Sequence, residues 1–392
     1  MKHRGEIREV SNGDVAFGLN LMQHLEEGNI VMSPYSIRTA LGMLYEGAKG
    51  KSATELSDAL KLPIEKAMRH TGFKELISAI NATRQDYVLK TANGTWVDKT
   101  FAINPEFQDI ATKVYSAEAS NADFLNNAEH WKKSINKWVG DKTEQKIPEL
   151  FKGKSINRDT VLVLANALYF KALWESKFNP KLTKKQDYVL ADGTTIQVDM
   201  MRKGEIEGRD LPKFRYGEYD GVQAVILPYK GMELEKLVLL PPKGTGTKEL
   251  EAHLRENTSV LPEWFLYMQE TKFDRLEMPK HEARKNYNLI PAFKALGIKS
   301  IFDPEKADLS GLGHDKFGNP IIVGTAVHEA YIKNNEEGSE GAAATGVGVV
   351  RYAGFIPSKP PIKFTADHPY LELIMHRLTG SVLFINRIID PR

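Results

Sequence analysis

Residues 336–361 constrain how this chain can fold more than any other stretch, and they read EEGSEGAAATGVGVVRYAGFIPSKPP. Their Gly, Ala, Ser and Thr content and closing prolines are typical of a flexible surface loop or linker. A loop this long inside a compact domain is uncommon unless it has a function. The stretch also has a period of two, because every second residue from Ser339 to Val349 is uncharged and either small or β-branched. Side chains of that kind fit the buried face of a strand, so the segment can be a loop and can also be a strand.

Hydrophobic periodicity predicts helices in the first third of the chain and strands after it. We expect helices over 15–25, after Ser36 as an N-cap, after a capping box at Ser52–Glu55, and around Trp131–Val139. A near-continuous apolar run over 161–170 suits a strand buried on both faces. Strand pairs are expected at 221–227 with 234–240 and at 370–378 with 381–388, and 272–278 alternates in part. Helices followed by many strands favour an α+β fold.

Composition excludes several classes of function. The chain has 392 residues, no cysteine and a formal net charge of +2, so thiol chemistry, a disulfide framework and a global field for nucleic acid are all disfavoured. No apolar run approaches the roughly 20 residues that cross a bilayer. Catalytic motifs are also missing: there is no G-x-S-x-G elbow and no phosphate loop, and His281-Glu282 lacks the second histidine of a zinc-protease helix.

Blocks spread along the chain resemble those of the serpin family in order and spacing. The hinge-like sequence EEGSEGAAAT at 336–345 lies about 30 residues before the HPYLELI hairpin, and other blocks precede and follow it. They are NIVMSPYSI (29–37), INKWVGDKTEQKI (135–147), LANALYFKALW (164–174), LPY (227–229), MPK (278–280), AVHEA (326–330), ADHPY (366–370) and LFINR (383–387).

The resemblance implies one serpin domain over 1–392 with three β-sheets, about nine helices and an exposed reactive-centre loop at about 336–361. It implies no enzyme activity. Instead, a serine protease cuts the loop and forms an acyl-enzyme. The cut loop then inserts into the central sheet as a new strand and traps the protease irreversibly.

Residue roles follow from the same resemblance. Glu336 resembles the carboxylate of the hinge, with Lys280 as its partner and Trp174 packed beneath, at the upper opening of the sheet called the breach. A second polar cluster, called the shutter, lets the sheet open midway, and it matches Ser33, Ser36, Asn166 and His328. The remaining hinge positions are Gly338, Ser339, Glu340, Gly341, Ala342, Ala343, Ala344 and Thr345.

The position of the reactive bond stays open at this stage. A count of 17 residues from Glu336 reaches Tyr352, which implies a chymotrypsin-like target, and we favour it. Arg351 implies a trypsin-like target whose pocket holds a carboxylate. Ala353 is the next candidate, and the chain leaves room for a later bond near Phe355.

The rival functions are a non-inhibitory serpin, acting as a carrier or chaperone, and inhibition of a cysteine protease. An unrelated α+β enzyme is a further rival, but the sequence lacks the catalytic constellation that it would need. Inhibition is favoured because residues 341–350 hold no proline or charge, although Gly341 stands where inhibitory relatives usually have Ala, which adds backbone entropy. Asn386 stands where the terminal strand often has Gly.

The expected partner is a chymotrypsin-type or trypsin-type serine protease, with no nucleic acid or membrane partner, and the expected state is a monomer. No metal or cofactor is expected. Scattered basic residues within 66–90 (Lys66, Arg69, Lys74, Arg84 and Lys90) give only thin support for a glycosaminoglycan activator. An extracellular location is slightly favoured, on the view that the polar first residues belong to a mature chain, and a cytoplasmic one is the alternative.

Overall fold

The computed structural model describes residues 2–82, 84–204, 211–339 and 360–392. Within them the chain forms two compact units, each assembled from three separate segments. The first unit contains residues 1–170, 284–331 and 375–385, and the second contains residues 171–283, 332–374 and 386–392.

Ten α-helices lie in the described residues, and Asn12 alone separates the first from the second, which gives nine helical segments. The helices are α1 (Arg4–Ser11), α2 (Gly13–Met22), α3 (Pro34–Tyr45), α4 (Gly50–Leu60), α5 (Lys66–Asn81), α6 (Pro105–Lys113), α7 (Phe124–Lys142), α8 (Thr247–Glu256), α9 (Val260–Tyr267) and α10 (Ile290–Ala295). Two short 3₁₀ turns occur at Pro180–Leu182 and Ser300–Phe302.

Eighteen strands in the same residues form three sheets of ten, six and two strands. The strands are β1 (Ile30–Met32), β2 (Tyr87–Asp98), β3 (Ala102–Ile103), β4 (Glu118–Ala122), β5 (Leu162–Leu173), β6 (Lys184–Val189), β7 (Thr195–Gly204), β8 (Lys213–Tyr219), β9 (Val222–Pro228), β10 (Leu234–Leu240), β11 (Gln269–Pro279), β12 (His281–Asn288), β13 (Gly313–His314), β14 (Val323–Asn334), β15 (Gly338–Ser339), β16 (Ile362–Thr365), β17 (Tyr370–His376) and β18 (Val382–Ile388).

The six-stranded sheet has the order β12-β14-β15-β5-β2-β4, with a further direct pairing of β14 with β5. In the first unit β14 and β5 run parallel and pair through eight residue pairs, from Val323 with Leu162 to Tyr331 with Tyr169. β5 is buried on both faces over residues 162–170, as its apolar run predicts.

Helix α7 covers one face of this sheet in the first unit. Its residues Ile135 and Val139 pack in one core cluster with Val163 and Ala165 of β5. Trp138 meets Trp96 of β2 edge-on, with 5.1 Å between ring centroids. The stripe predicted around Trp131–Val139 is therefore confirmed as part of a longer helix.

The second unit is mostly antiparallel. β11 pairs with β8 through residues 269–272 and with β7 through residues 275–279, so one long strand joins two groups of strands. β16 pairs in parallel with β11. The pair expected at 221–227 and 234–240 is confirmed as β9 and β10, with Leu237 opposite Ile226.

Two predicted helix starts are wrong. Ser33, not Ser36, caps α3, because Pro34 occupies the first helical position and Ser33 Oγ accepts the amide of Ser36 at 3.1 Å. Ser52 and Glu55 do not form a capping box, since α4 already begins at Gly50. Their side chains instead accept backbone amides from the segment 299–308.

Among the described residues, no helix is long and apolar enough to span a bilayer.

Candidate functional site

The structure places the start of the predicted hinge as a strand. Gly338 and Ser339 form β15, which lies between β14 and β5 in the second unit. Ser339 pairs antiparallel with Asn334 of β14 on one side and with Ala172 of β5 on the other. The first two loop positions after the turn are thus already part of the sheet.

Only glycine fits at position 338. A Cβ atom there would lie 2.0 Å from the carbonyl oxygen of Ala172 and 2.7 Å from the Cα of Leu173. Both are backbone atoms of the neighbouring strand, so neither yields at low cost. The turn that precedes Gly338 is held by Asn335, whose Oδ1 accepts the amides of Glu337 and Gly338 at 3.0 and 3.2 Å.

Two lysines hold the two hinge carboxylates, and we call these ion pairs the latch. Lys280 Nζ lies 2.8 Å from Glu336 Oε1, which also accepts a hydrogen bond from Thr183 Oγ1 at 2.7 Å. Lys177 Nζ donates to Glu337 Oε2. Burial alone would raise the pKa of Glu336, but the hydrogen bonds from Lys280 and Thr183 outweigh it, and the net pKa shift is downward.

Trp174 lies directly against the hinge. Its amide donates to Glu337 O at 2.9 Å and its Nε1 donates to Asn335 O at 2.9 Å. Its ring stacks on Tyr229 with 4.6 Å between centroids. Tyr229 OH forms a 2.7 Å hydrogen bond with Ser339 Oγ, and both residues are fully buried. The rings of Trp174 and Tyr229 therefore pack beneath the two-residue strand β15.

The predicted shutter residues meet in the first unit, where β14 and β5 pair directly. His328 lies opposite Asn166 in register, and its Nδ1–H donates to Asn166 Oδ1. The His328 Nε2 accepts the amide of Ser33 at 3.1 Å, which assigns the tautomer. Asn166 Nδ2 donates to Ser36 O at 2.9 Å and to Ser36 Oγ at 2.6 Å.

The shutter imidazole is neutral at physiological pH. His328 has no exposed surface, and burial lowers its pKa to about 3. Its ring is stacked with Tyr287 at 6.4 Å between centroids. A neutral ring can donate at one nitrogen and accept at the other, as both bonds here require. Any strand that enters between β14 and β5 at this level must break the His328–Asn166 bond.

Several predicted residues lie outside the described part of the chain. They are the later hinge positions Glu340, Gly341, Ala342, Ala343, Ala344 and Thr345, the reactive-bond candidates Arg351, Tyr352 and Ala353, and the more distant Phe355.

The scattered basic residues within 66–90 lie on more than one element, and several of them are paired with carboxylates. Arg69 is buried, donates to both carboxylate oxygens of Glu46 at 2.7 and 3.2 Å, and lies over the ring of Tyr45. Lys66 lies 3.5 Å from Glu106, and Lys90 lies 3.8 Å from Glu144. Within the described residues, no cluster of acidic and histidine side chains can hold a metal ion.

Sequence reasoning missed several members of both clusters. Asn93 is buried in the shutter, where its Oδ1 lies 2.5 Å from Asn166 Nδ2. In the second unit the missed residues are Lys177, Thr183, Tyr229, Lys236 and Glu372. Glu372 had a signal, since it is a lone carboxylate in the largely apolar strand β17, whereas Lys236 follows Glu235 in β10.

Comparison with known proteins identifies the class. Residues 12–391 match the family model described as Serpin (serine protease inhibitor), and the chain belongs to the serpin family. Its α+β serpin fold, with three sheets and nine helical segments in the described residues, confirms the fold class expected from the sequence.

Particular relatives cover almost the whole chain. The human leukocyte elastase inhibitor is 34% identical over 98% of this chain and 100% of its own length. The crystal structure of Serpin48 from the insect Tenebrio molitor has a TM-score of 0.84 at 29% identity and covers 99% of this chain and 98% of its own. Human thyroxine-binding globulin, a structure with bound hormone, also has a TM-score of 0.84, at 27% identity over 99% of this chain and 100% of its own.

Proposed function

We propose that this protein is an irreversible inhibitor of a serine endopeptidase, consumed one molecule per protease molecule rather than acting as an enzyme. The observation that carries the proposal is the two-residue strand β15. Gly338 and Ser339 occupy the place of a new strand between β14 and β5, while the same two strands still pair directly from Val323 with Leu162 to Tyr331 with Tyr169.

The strand pattern supplies a driving force for loop insertion. Insertion between β14 and β5 exchanges one parallel ladder of eight residue pairs for two antiparallel ladders. The net gain is about one ladder, or about 8 kcal/mol at roughly 1 kcal/mol per hydrogen bond. That is comparable to the whole stability of an ordinary domain, so insertion can pull a covalently attached protease away from its substrate-bound geometry.

Strand pairing at the two ends of the loop accounts for insertion only after the loop is cut. The described residues on either side of the loop belong to the strands β15 and β16, and we infer that a loop held at both strands inserts more slowly than a cut one. Cleavage frees one end. The acyl-enzyme then partitions between hydrolysis and insertion, and fast insertion gives a trapped complex.

We propose neighbouring residues of the loop as candidates for the position of the reactive bond. We favour Tyr352 and then Arg351, as the count from Glu336 suggests. The relatives named as elastase inhibitors support adding elastase to the targets, because the specificity pocket of elastase is small and would accept Ala353.

The test is to mix the protein with trypsin, chymotrypsin, elastase and the cysteine protease papain, and to run denaturing gels with mass spectrometry of the released C-terminal peptide. We expect a complex with a serine protease that survives SDS. The peptide would begin at Tyr352, Ala353, Gly354 or Ile356 for cleavage after Arg351, Tyr352, Ala353 or Phe355 respectively.

A matched variant keeps the reactive bond and blocks insertion. Ser339→Arg places a charge at a fully buried position of β15, so it should be cut as an ordinary substrate without a complex. Clean cleavage of the wild-type protein by every protease, with no complex, would refute inhibition. That outcome would favour a carrier role such as the hormone-bound human globulin has. A complex with papain alone would instead indicate a cysteine protease target.

We infer that the cytoplasmic location fits better than the extracellular one. The support is the likeness of nearly the whole chain to proteins named leukocyte elastase inhibitors, in human and in mouse. Fractionation of the source cells tests this, and recovery of the protein from the medium alone would contradict it. A monomer and the absence of an activating polyanion remain predictions, tested by sedimentation and by inhibition rates with and without heparin.

A further inference from the structure

Two charged residues are fully buried in the second unit, directly beside the hinge. Lys236 lies in the middle of β10 and Glu372 in β17, and every residue of both strands is buried. Lys236 Nζ and Glu372 Oε2 are 2.8 Å apart, and neither side chain has exposed surface. Charges buried to this degree are rare unless they are paired.

Such a pair is weak evidence for stability. Removing two charges from water costs several kcal/mol each, and apolar residues of similar volume are often as stable or more stable at such a site. β10 and β17 are otherwise rich in leucine, so an apolar pair would suit the surroundings. The reason for the pair is therefore to be sought in the other residues that Lys236 and Glu372 contact.

The contacts of Lys236 lead to the hinge. Its Nζ donates to Asn334 Oδ1 at 3.3 Å and lies 5.4 Å from the centroid of the Trp174 ring. Asn334 is the residue of β14 that pairs with Ser339, and Trp174 donates to the carbonyls of the hinge turn. One ammonium group thus contacts residues on both sides of the inserted strand.

Glu372 fixes the ammonium group from the opposite side. Its second oxygen, Oε1, accepts a 2.9 Å hydrogen bond from Asn386 Nδ2 and lies 3.5 Å from His281 Nε2. With both oxygens engaged, the carboxylate has little freedom to rotate. This carboxylate fixes the position of Lys236 Nζ. Through its contacts, Lys236 in turn restrains Asn334 and Trp174.

We propose that Lys236 and Glu372 are a positioning pair. They hold Asn334 and Trp174 in place on the two sides of β15, so that Ser339 stays paired in the sheet until the loop is cut. The inference rests on the proposed function, because the hinge is where insertion would start. The pair acts through Asn334 and Trp174, the described residues that connect it to the hinge.

The experiment compares two buried ion pairs of the second unit. Lys236→Met/Glu372→Leu neutralises the hinge pair together, since removing one partner alone would strand a buried charge and threaten folding. The control is Arg387→Met/Glu251→Leu, because Arg387 and Glu251 are also buried, 3.2 Å apart, and are not among the hinge contacts above. Asn334→Ser serves as a second variant that leaves both pairs intact.

The readout is amide hydrogen exchange over residues 335–339, measured on the full chain without protease. Loss of the Lys236 contact should speed exchange there about fivefold, the effect of one lost hydrogen bond, in the hinge-pair variant and in Asn334→Ser. The control pair should change global stability and leave this segment unaltered. Equal acceleration by both pairs, or none by the hinge pair and Asn334→Ser, would overturn the proposal.

Inhibition is measured separately on the same variants. A wild-type protein that forms no complex with any protease refutes the proposed function, whereas the exchange result alone decides whether Lys236 and Glu372 position the hinge.

Discussion

Replacement of Gly338 by alanine should eject the start of the hinge from the sheet. The added Cβ would lie 2.0 Å from Ala172 O, and relief requires β15 to move away from β5. Movement breaks the contact of Ser339 Oγ with Tyr229 OH and the backbone bonds of the hinge turn and of Trp174. About three hydrogen bonds at roughly 1 kcal/mol each give about 3 kcal/mol, or roughly a 150-fold lower occupancy of the inserted hinge.

The assay has two parts. Hydrogen exchange at Ser339 should accelerate by about two orders of magnitude, as that occupancy predicts. The number of inhibitor molecules consumed per trapped protease should rise well above one, because insertion must then begin from an ejected hinge while hydrolysis of the acyl-enzyme continues. The matched control is Gly5→Ala, where a Cβ would meet nothing within 4 Å. Unchanged exchange and unchanged stoichiometry in Gly338→Ala would refute the steric reasoning.

Three further predictions follow from the two clusters. Burial lowers the pKa of His328 to about 3, so the neutral ring contributes fully to stability above about pH 6.5. Below that pH the free energy of unfolding should fall by about 1.4 kcal/mol per pH unit. Denaturant midpoints should show this slope for the wild type and not for His328→Gln, and equal slopes would contradict the prediction. Lys280→Ala should weaken the latch by about 1 kcal/mol and remove the part of stability that disappears as Glu336 is protonated. Amide hydrogen exchange at residues 336–339 should then be faster at neutral pH. Identical pH profiles of this exchange with and without Lys280 would count against the latch. Cutting the loop should raise the melting temperature by roughly 10 °C or more in calorimetry, because about 8 kcal/mol of strand pairing is gained, and an unchanged or lower temperature would exclude insertion.

Periodicity in the sequence predicted the sheet strands well because apolar runs depend on burial alone. The run at 161–170 became β5, and the pair at 221–240 became β9 and β10. Helix starts were less predictable. Ser52 and Glu55 have the spacing of a capping box, yet both bond to amides of residues 299–308, which are remote in the sequence.

The candidate site was predictable where a residue matched a family block and not where its partner depended on tertiary contacts. Lys280 and Glu336 were paired in advance, and the structure brings them within 2.8 Å. Lys177 and Thr183 belong to no such block. Their role at the latch depends on how β14 and β15 turn beside them, and residue spacing does not fix this geometry. The functional roles of all these residues remain predictions.

The most direct test of loop insertion is a crystal structure of the protein after cleavage of the loop. The account predicts that residues 338–350 form a continuous strand between β14 and β5, antiparallel to both, with the hydrogen bond between His328 and Asn166 broken. A cleaved protein in which His328 still bonds to Asn166, and in which β14 and β5 remain directly paired, would contradict it.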